Sequence, residues 1–241
     1  MLYLFLVYSI FVILSSLYLK KKKLFSNYTG DDHQLFSNKE NIPLIGGMFL
    51  IVPIILINQE NATYLSIIIL ISLVGFFSDK KILISPTKRF FFQLLVVFLS
   101  VFLLHLEILS SRIIIFDNLL EIKVFNLIFT SFCLLILING SNFMDGLNGL
   151  LLVYITFVII ILFKLDLISK FVLNEDLILY LIAFLIILII LNLLNILMLG
   201  DTGAYLLSFF LGYLIINCHK FNPYISPYFF ISIIWYPCYE N

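Results

Sequence analysis

Charged side chains are scarce in this sequence. Only 12% of its 241 residues are Asp, Glu, Lys or Arg, whereas 63% are hydrophobic and the mean hydropathy is +1.16. A chain this apolar cannot cover a water-soluble core with polar surface, so it needs lipid as its solvent. Net charge is absent as well, because 14 basic residues balance 14 acidic ones. Without a net field to attract polyanions, nucleic acid is excluded as a partner.

Cysteine and histidine are also rare. Their positions are Cys133, Cys218 and Cys238, and His33, His105 and His219. The cysteines show no CxxC or CxxH spacing, so neither a disulfide framework nor a zinc site is indicated, and we interpret them as small packing residues. The histidines lie in separate parts of the chain, so a catalytic or metal-binding histidine pair is not supported.

Long apolar runs fill most of the chain. A helix that crosses a bilayer needs about 20 apolar residues, and the run 1–19 meets that length without a charge. Four lysines follow this run instead of preceding it, so we predict a retained span and not a cleaved signal peptide. With eight further runs the sequence predicts an all-α, polytopic membrane bundle of about nine transmembrane helices, forming one domain over 1–241. The further runs cover about 42–57, 63–77, 90–109, 124–140, 148–163, 177–198, 203–217 and 224–238.

The basic residues predict how this bundle is oriented. If the connection after the first run is cytoplasmic, nine of the 14 Lys and Arg residues fall in cytoplasmic segments and five in outer ones. Lysine and arginine concentrate on the cytoplasmic side of membrane proteins. We therefore expect the N-terminus to lie outside.

Three aspartates stand at the ends of predicted spans. Asp79 ends the third, Asp145 the fifth and Asp201 the seventh, and alternation brings all three to the cytoplasmic surface. One acidic residue at a helix end means little, but three such acids suit a shared cation site. Hard divalent cations such as Mg²⁺ take oxygen ligands and are usually held by one or two carboxylates, waters and substrate phosphates. The pattern therefore predicts one site at this face.

Glycines and amides accompany these acids. Gly46 and Gly47 begin the second span, where they permit close approach of a ligand or close packing between helices. Asn139, Asn142 and Asn148 lie on the same short stretch as the second aspartate. Their donors and acceptors suit a polar headgroup such as a base or a sugar, although amides also cap helices.

Basic residues surround the first aspartate. Lys80, Lys81, Lys88 and Arg89 follow it within a dozen positions. They could attract anionic substrates and lipid phosphates, or serve only to orient the bundle. Both interpretations stay open at this point.

Four motifs appear in order along the chain. They are Pro43-Leu-Ile-Gly46-Gly47, Gly75-Phe-Phe-Ser-Asp79 with Arg89-Phe-Phe-Phe-Gln93, Asn139-Gly-Ser-Asn142-Phe-Met-Asp145-Gly-Leu-Asn148-Gly149, and Leu199-Gly-Asp201-Thr-Gly203-Ala. The last two are specific in this order and spacing. From about residue 31 onward the chain resembles the polyprenyl-phosphate N-acetylhexosamine-1-phosphate transferases, also called glycosyltransferase family 4.

This resemblance implies an activity and its partners. It implies transfer of an N-acetylhexosamine 1-phosphate from a UDP-sugar to undecaprenyl or another polyprenyl phosphate, with release of UMP. The product would initiate a cell-envelope polysaccharide such as O-antigen. Mg²⁺, or Mn²⁺ in its place, is implied as cofactor, and the site is implied at the cytoplasmic face of the bacterial inner membrane. A homodimer stays open.

The resemblance also implies roles for individual residues. Asp201 matches the Mg²⁺ ligand, and Asp79 matches a second acid that helps to bind or deprotonate the acceptor phosphate and is expected to share the metal. Ser78 stands where the family usually has the first of two adjacent aspartates. Relatives continue beyond the segment that ends here at Asn241, which implies that part of the family domain is missing. Asn142, Asp145 and Asn148 match positions that hold the nucleotide in the family. The other substrate-binding residues, which are predicted from their own chemistry, are Gly46, Gly47, Lys88, Arg89 and Asn139.

Two other classes of protein stay open. A secondary transporter also uses broken helices and intramembrane carboxylates, but its binding groups lie near the bilayer midplane within inverted repeats. The acids here are predicted at one interface and no convincing repeat is found, which disfavours transport. A catalytically inactive relative that binds prenyl phosphate is the second alternative, and Ser78 favours it.

Overall fold

The computed structural model describes residues 2–26, 42–145, 149–169, 171–172 and 175–239. Within these ranges the chain forms ten α-helices and one isolated bridge between two extended segments, so the predicted all-α class is confirmed. In chain order the helices are α1 (Leu2–Lys22), α2 (Gly46–Ile57), α3 (Ala62–Asp79), α4 (Pro86–Leu103), α5 (Ile114–Leu120), α6 (Lys123–Asp145), α7 (Leu150–Lys164), α8 (Glu175–Leu193), α9 (Gly200–Phe221) and α10 (Pro227–Tyr239).

Six of these helices are long and apolar enough to cross a membrane, judged by length and composition among the described residues. They are α1, α3, α4, α6, α8 and α9, and the apolar helices α2 and α7 are shorter. The chain is therefore a polytopic membrane bundle. A total of nine spans stays a prediction, because α2, α7 and α10 have 12, 15 and 13 residues, fewer than the roughly 20 that a full crossing needs.

Local signals set the starts of two helices near the predicted site. Asn61 caps α3, since its side chain accepts a hydrogen bond of 3.0 Å from the backbone N–H of Tyr64. α4 begins at Pro86, which suits a first turn because proline has no N–H to leave unpaired. The helix therefore takes in Lys88 and Arg89, and the predicted start near residue 90 is late.

The connection between α4 and α6 differs from the prediction. α4 ends at Leu103 instead of near 109, because His105 adopts a left-handed φ of 50° that a right-handed helix does not accommodate. The short helix α5 follows, and its mixed polar and apolar residues hide its period in the sequence. Ser110 and Ser111 donate hydrogen bonds of 2.6–2.8 Å to Asp117 in its first turn.

The helix α9 lies at the centre of the bundle. Within its most apolar 18-residue window 89% is buried, against 17% for α1. α9 packs against α2, α3, α6, α7 and α10, whereas α1 packs against α8 at the edge. Groups carried by α9 are therefore held from several sides.

Contrary to the prediction, Asp201 does not lie at the end of a span. The seventh predicted run extends to 198, but α8 ends at Leu193 and the chain turns at Asn195, whose φ is 54°. α9 then begins at Gly200, so Asp201 lies in the first turn of α9 and not at the end of the preceding span. The apolar residues between the two helices misled the prediction because they look helical in composition.

Those intervening residues pair with the segment that precedes α2. The backbone N–H of Met198 donates to the carbonyl of Pro43 at 2.9 Å, and the N–H of Gly46 donates back to Met198 at 2.9 Å. The N–H of Gly47 donates to the carbonyl of Leu199 at 3.0 Å. Irregular backbone is tolerated within a membrane bundle only where its polar groups are paired or wet. The pairing holds the starts of α2 and α9 side by side.

Candidate functional site

The last residue of α3 binds the first turn of α9. Oδ1 of Asp79 accepts a hydrogen bond of 2.8 Å from the backbone N–H of Asp201. Oδ2 accepts from the backbone N–H of Thr202 at 3.0 Å and from its hydroxyl at 2.6 Å. The first N–H groups of a helix have no partner within that helix. Asp79, which is 6% exposed, satisfies two of them from outside.

Glycine makes this close approach feasible. Gly200 has a φ of +73°, and a Cβ at this position would lie 3.0 Å from both carboxylate oxygens of Asp79. Gly75 lies one turn before Asp79 on α3, and a Cβ there would lie 2.6 Å from the backbone nitrogen of Thr202. The two helix ends can therefore meet at this distance only with glycine at both positions.

Three side chains surround one oxygen of Asp201. Its Oδ2 accepts hydrogen bonds from the hydroxyls of Ser78 and, at 3.4 Å, Tyr205. The same oxygen lies 3.4 Å from Nη1 of Arg89 in a salt bridge. The side chains of Asp201 and Arg89 keep 18% and 23% of their surface exposed. The carboxylate is thus oriented by the protein and still reachable from the surface.

The third predicted aspartate joins the other two. The carboxylate of Asp145, at the end of α6, interacts electrostatically with those of Asp201 and Asp79. The end of the bundle that carries these three carboxylates is called the acidic end below. Acids carried by α3, α6 and α9 therefore lie at one end of the bundle, and a cation site shared among them stays a prediction.

The two glycines at the start of α2 pack helices together. A Cβ on Gly47 would lie 2.5 Å from the Cα of Gly203, and one on Gly46 would lie 2.9 Å from the carbonyl oxygen of Met198. Both glycines are buried. Of the two roles considered for this pair, close packing between helices is the one seen, and their binding of substrate stays a prediction.

The remaining predicted polar residues show no hydrogen bond or ion pair with Asp79 or Asp201 among the described residues. The Asn139 side chain donates a hydrogen bond of 2.8 Å to the carbonyl of Leu135 within its own helix. Asn142 is half-buried and Lys88 is exposed in the first turn of α4. Asn148 lies outside the described residues. Substrate binding by these side chains stays a prediction.

Two residues of the site have no role predicted from the sequence. Thr202 ties the start of α9 to Asp79, and Tyr205 contacts Asp201 from one turn further along α9. Tyr205 follows Asp201 by four positions, a spacing that places both side chains on the same helical face. That spacing identifies Tyr205 only when Asp201 lies at the start of a helix, whereas the sequence predicts Asp201 at the end of the previous span.

The donor atoms at the acidic end are those that Mg²⁺ prefers. Within the described ranges, no group of three or more His, Cys, Asp or Glu side chains is arranged to hold a metal ion. Mg²⁺ is commonly held by one or two carboxylates together with waters and substrate phosphates. The carboxylate of Asp201, which keeps 18% of its surface exposed, fits that kind of site.

The fold and the site together define a multi-pass membrane protein with an acidic site at one end of its bundle. Residues 61–219, well over half of the chain, match the family described as Glycosyl transferase family 4. The chain belongs to this family, so the predicted resemblance is confirmed. Family membership implies a transferase that moves a sugar 1-phosphate onto a polyprenyl phosphate. No curated protein and no solved structure matches the chain.

Proposed function

We propose that this protein transfers an N-acetylhexosamine 1-phosphate from a UDP-sugar to undecaprenyl or another polyprenyl phosphate. An oxygen of the acceptor phosphate bonds to the sugar-linked phosphorus of the donor, the bond between the two donor phosphates breaks, and UMP leaves. The observation that carries the proposal is the family match over residues 61–219, within which the ends of α3 and α6 and the start of α9 carry Asp79, Asp145 and Asp201. The polyprenyl-diphosphate sugar formed would start a cell-envelope polysaccharide.

Phosphoryl transfer depends mainly on positioning and on neutralising negative charge. We propose that Asp201 holds Mg²⁺, or Mn²⁺ in its place, which when bound would neutralise the donor phosphates. Arg89 supplies a fixed positive charge next to Asp201. The amides of Asn142 and Asn148 are proposed to hold the nucleotide. Asp79 belongs to the same site through its hydrogen bonds with the first turn of α9.

The position of the acidic end suits two substrates with different solubilities. A nucleotide sugar arrives from water, whereas a polyprenyl phosphate presents its phosphate at the level of the lipid headgroups. We propose that the acidic end faces the cytoplasm of a bacterial inner membrane, with the N-terminus outside. The lysines in the last turn of α1 and the basic residues in the first turn of α4 support this orientation.

The direct test measures the release of UMP. Purified protein in detergent is incubated with Mg²⁺, undecaprenyl phosphate and each of several UDP-N-acetylhexosamines. We expect UMP and a lipid-linked sugar diphosphate with at least one donor, and neither product when the lipid is omitted. If neither product forms with any donor while the protein still binds polyprenyl phosphate, the result would favour a catalytically inactive relative that binds prenyl phosphate.

Arg89 should contribute to turnover through its charge. We expect Arg89→Ala to lower kcat/KM for the UDP-sugar by roughly tenfold, because a partly exposed cation next to a phosphate site is worth about 1–2 kcal/mol. Arg89→Lys should recover part of the loss, since it keeps the charge but not the planar geometry. Lys81→Ala is the matched control, because Lys81 is exposed and lies beyond the end of α3. Equal losses in Arg89→Ala and Lys81→Ala would contradict a local role for Arg89.

A further inference from the structure

We infer that Asp79 acts through Asp201, as a positioning residue that fixes the first turn of α9, and not as a metal ligand or a base. This inference rests on the proposed function, since it assigns a role within the same site. It departs from the role that the resemblance implies for Asp79. The geometry of the two helix ends carries the argument.

The carboxylate of Asp79 is already engaged on both oxygens. It accepts three hydrogen bonds, from the backbone N–H of Asp201 and from the N–H and hydroxyl of Thr202. All three donors belong to one turn of α9, whose N-terminal end attracts negative charge. A carboxylate that is 6% exposed and bonded in this way has little surface left for a hydrated ion or a phosphate.

The surrounding backbone prevents the side chain of Asp79 from turning towards another partner. Gly200 passes so close that a Cβ would lie 3.0 Å from either oxygen, and Gly75 brings the last turn of α3 against Thr202. Asp201 differs, because its side chain is 18% exposed and reaches Ser78, Arg89 and Tyr205. The two neighbouring aspartates therefore have different roles. Asp79 holds the backbone of the turn, and Asp201 exposes its carboxylate to the surface.

Amide hydrogen exchange tests this role without any assay of activity. The N–H groups of Asp201 and Thr202 have no acceptor within their own helix, so their protection depends on Asp79. In Asp79→Asn an amide nitrogen replaces one acceptor oxygen, and we expect exchange at these two positions to accelerate by about tenfold or more. Exchange in the middle of α9 should not change. Unaltered protection at Asp201 and Thr202 would overturn the inference.

A matched pair at Thr202 tests the link to turnover. Thr202 is 1% exposed and cannot touch substrate directly. Thr202→Val keeps the shape but removes the hydroxyl donor to Asp79, so we expect kcat to fall about tenfold while the Mg²⁺ concentration for half-maximal rate stays the same. Thr202→Ser keeps the donor and should stay within about twofold of the parent protein. Equal rates in the valine and serine variants would contradict the proposed coupling.

Cysteine variants separate positioning from metal binding. Thiolates favour soft ions, so Asp201→Cys should lose activity with Mg²⁺ and regain part of it with Cd²⁺. Asp79→Cys should not regain activity with either ion, and recovery with Cd²⁺ would identify Asp79 as a direct ligand and overturn the inference. If the parent protein shows no turnover with any donor, the proposed function fails, whereas the exchange measurement still decides whether Asp79 holds the turn.

Discussion

We expect Asp201→Asn to lower kcat by about a thousandfold or more while leaving the membrane fold intact. Asparagine has the same shape as aspartate but carries no charge, so it loses both the proposed metal interaction and the ion pair with Arg89. A thousandfold loss corresponds to about 4 kcal/mol of transition-state stabilisation, the scale expected when a metal site is removed. The measurement is the initial rate of UMP release, with the melting temperature in detergent as the readout of folding.

Asp117→Asn provides the matched control for this variant. Asp117 lies in α5, between the end of α4 and the start of α6, whereas Arg89 and Asp145 lie at the opposite ends of those two helices. Hydrogen bonds from Ser111 and then from Ser110 lower the pKa of Asp117, so the substitution removes a full negative charge there as well. We expect a rate within about twofold of the parent protein. A near-normal rate in Asp201→Asn would remove Asp201 from the proposed metal site.

The sequence predicted the class of the fold because bilayer physics leaves few choices. Apolar runs must form helices, since no water is available to satisfy the backbone, and each of the nine predicted runs has a helical counterpart. The boundaries were harder, because hydropathy does not separate an apolar helix from an apolar connection. Residues 196–199 illustrate this: they are apolar, yet Met198 pairs with Pro43 across the bundle instead of extending α8.

The site was predictable in its members more than in its internal arrangement. Acids at helix ends are costly enough to signal a shared purpose, and Asp79 and Asp201 do meet, because Asp79 accepts a hydrogen bond from the backbone N–H of Asp201. The separate roles of the aspartates depend on which N–H groups donate hydrogen bonds to which carboxylate oxygens. The spacing of residues along the chain does not give this information. Thr202 was overlooked for the same reason, since its hydroxyl matters only because the end of α3 arrives beside it.

Ser78, which stands where the family usually has an aspartate, contacts Asp201 in this chain. Its hydroxyl donates to the same oxygen of Asp201 that Arg89 contacts. A carboxylate in place of Ser78 could not donate at neutral pH and would instead repel Asp201 at close range. In this chain the pair formed by Ser78 and Arg89 therefore orients Asp201 by donation. The position next to Asp201 thus holds a hydroxyl donor and not a further carboxylate.

Gly47→Ala should be among the most destabilising substitutions in the bundle. A Cβ there would lie 2.5 Å from the Cα of Gly203 and 2.6 Å from the carbonyl carbon of Thr202, and both are backbone atoms of α9. Backbone cannot rotate away, so the starts of α2 and α9 must separate and strain the pairing that precedes them. We expect a loss of about 3 kcal/mol or more, measured as a lower melting temperature in detergent.

Gly212→Ala is the control that isolates the cause of this loss. Its Cβ would overlap the Cδ2 atom of Leu134, which is the far end of a side chain that can change rotamer. Alanine also favours a helix over glycine by about 1 kcal/mol at either position, so propensity alone would stabilise both variants. The excess loss in Gly47→Ala therefore measures the backbone contact between α2 and α9. Equal melting temperatures in the two variants would mean that the starts of α2 and α9 are not held in contact. The first turn of α9, which carries Asp201, would then not be fixed by α2.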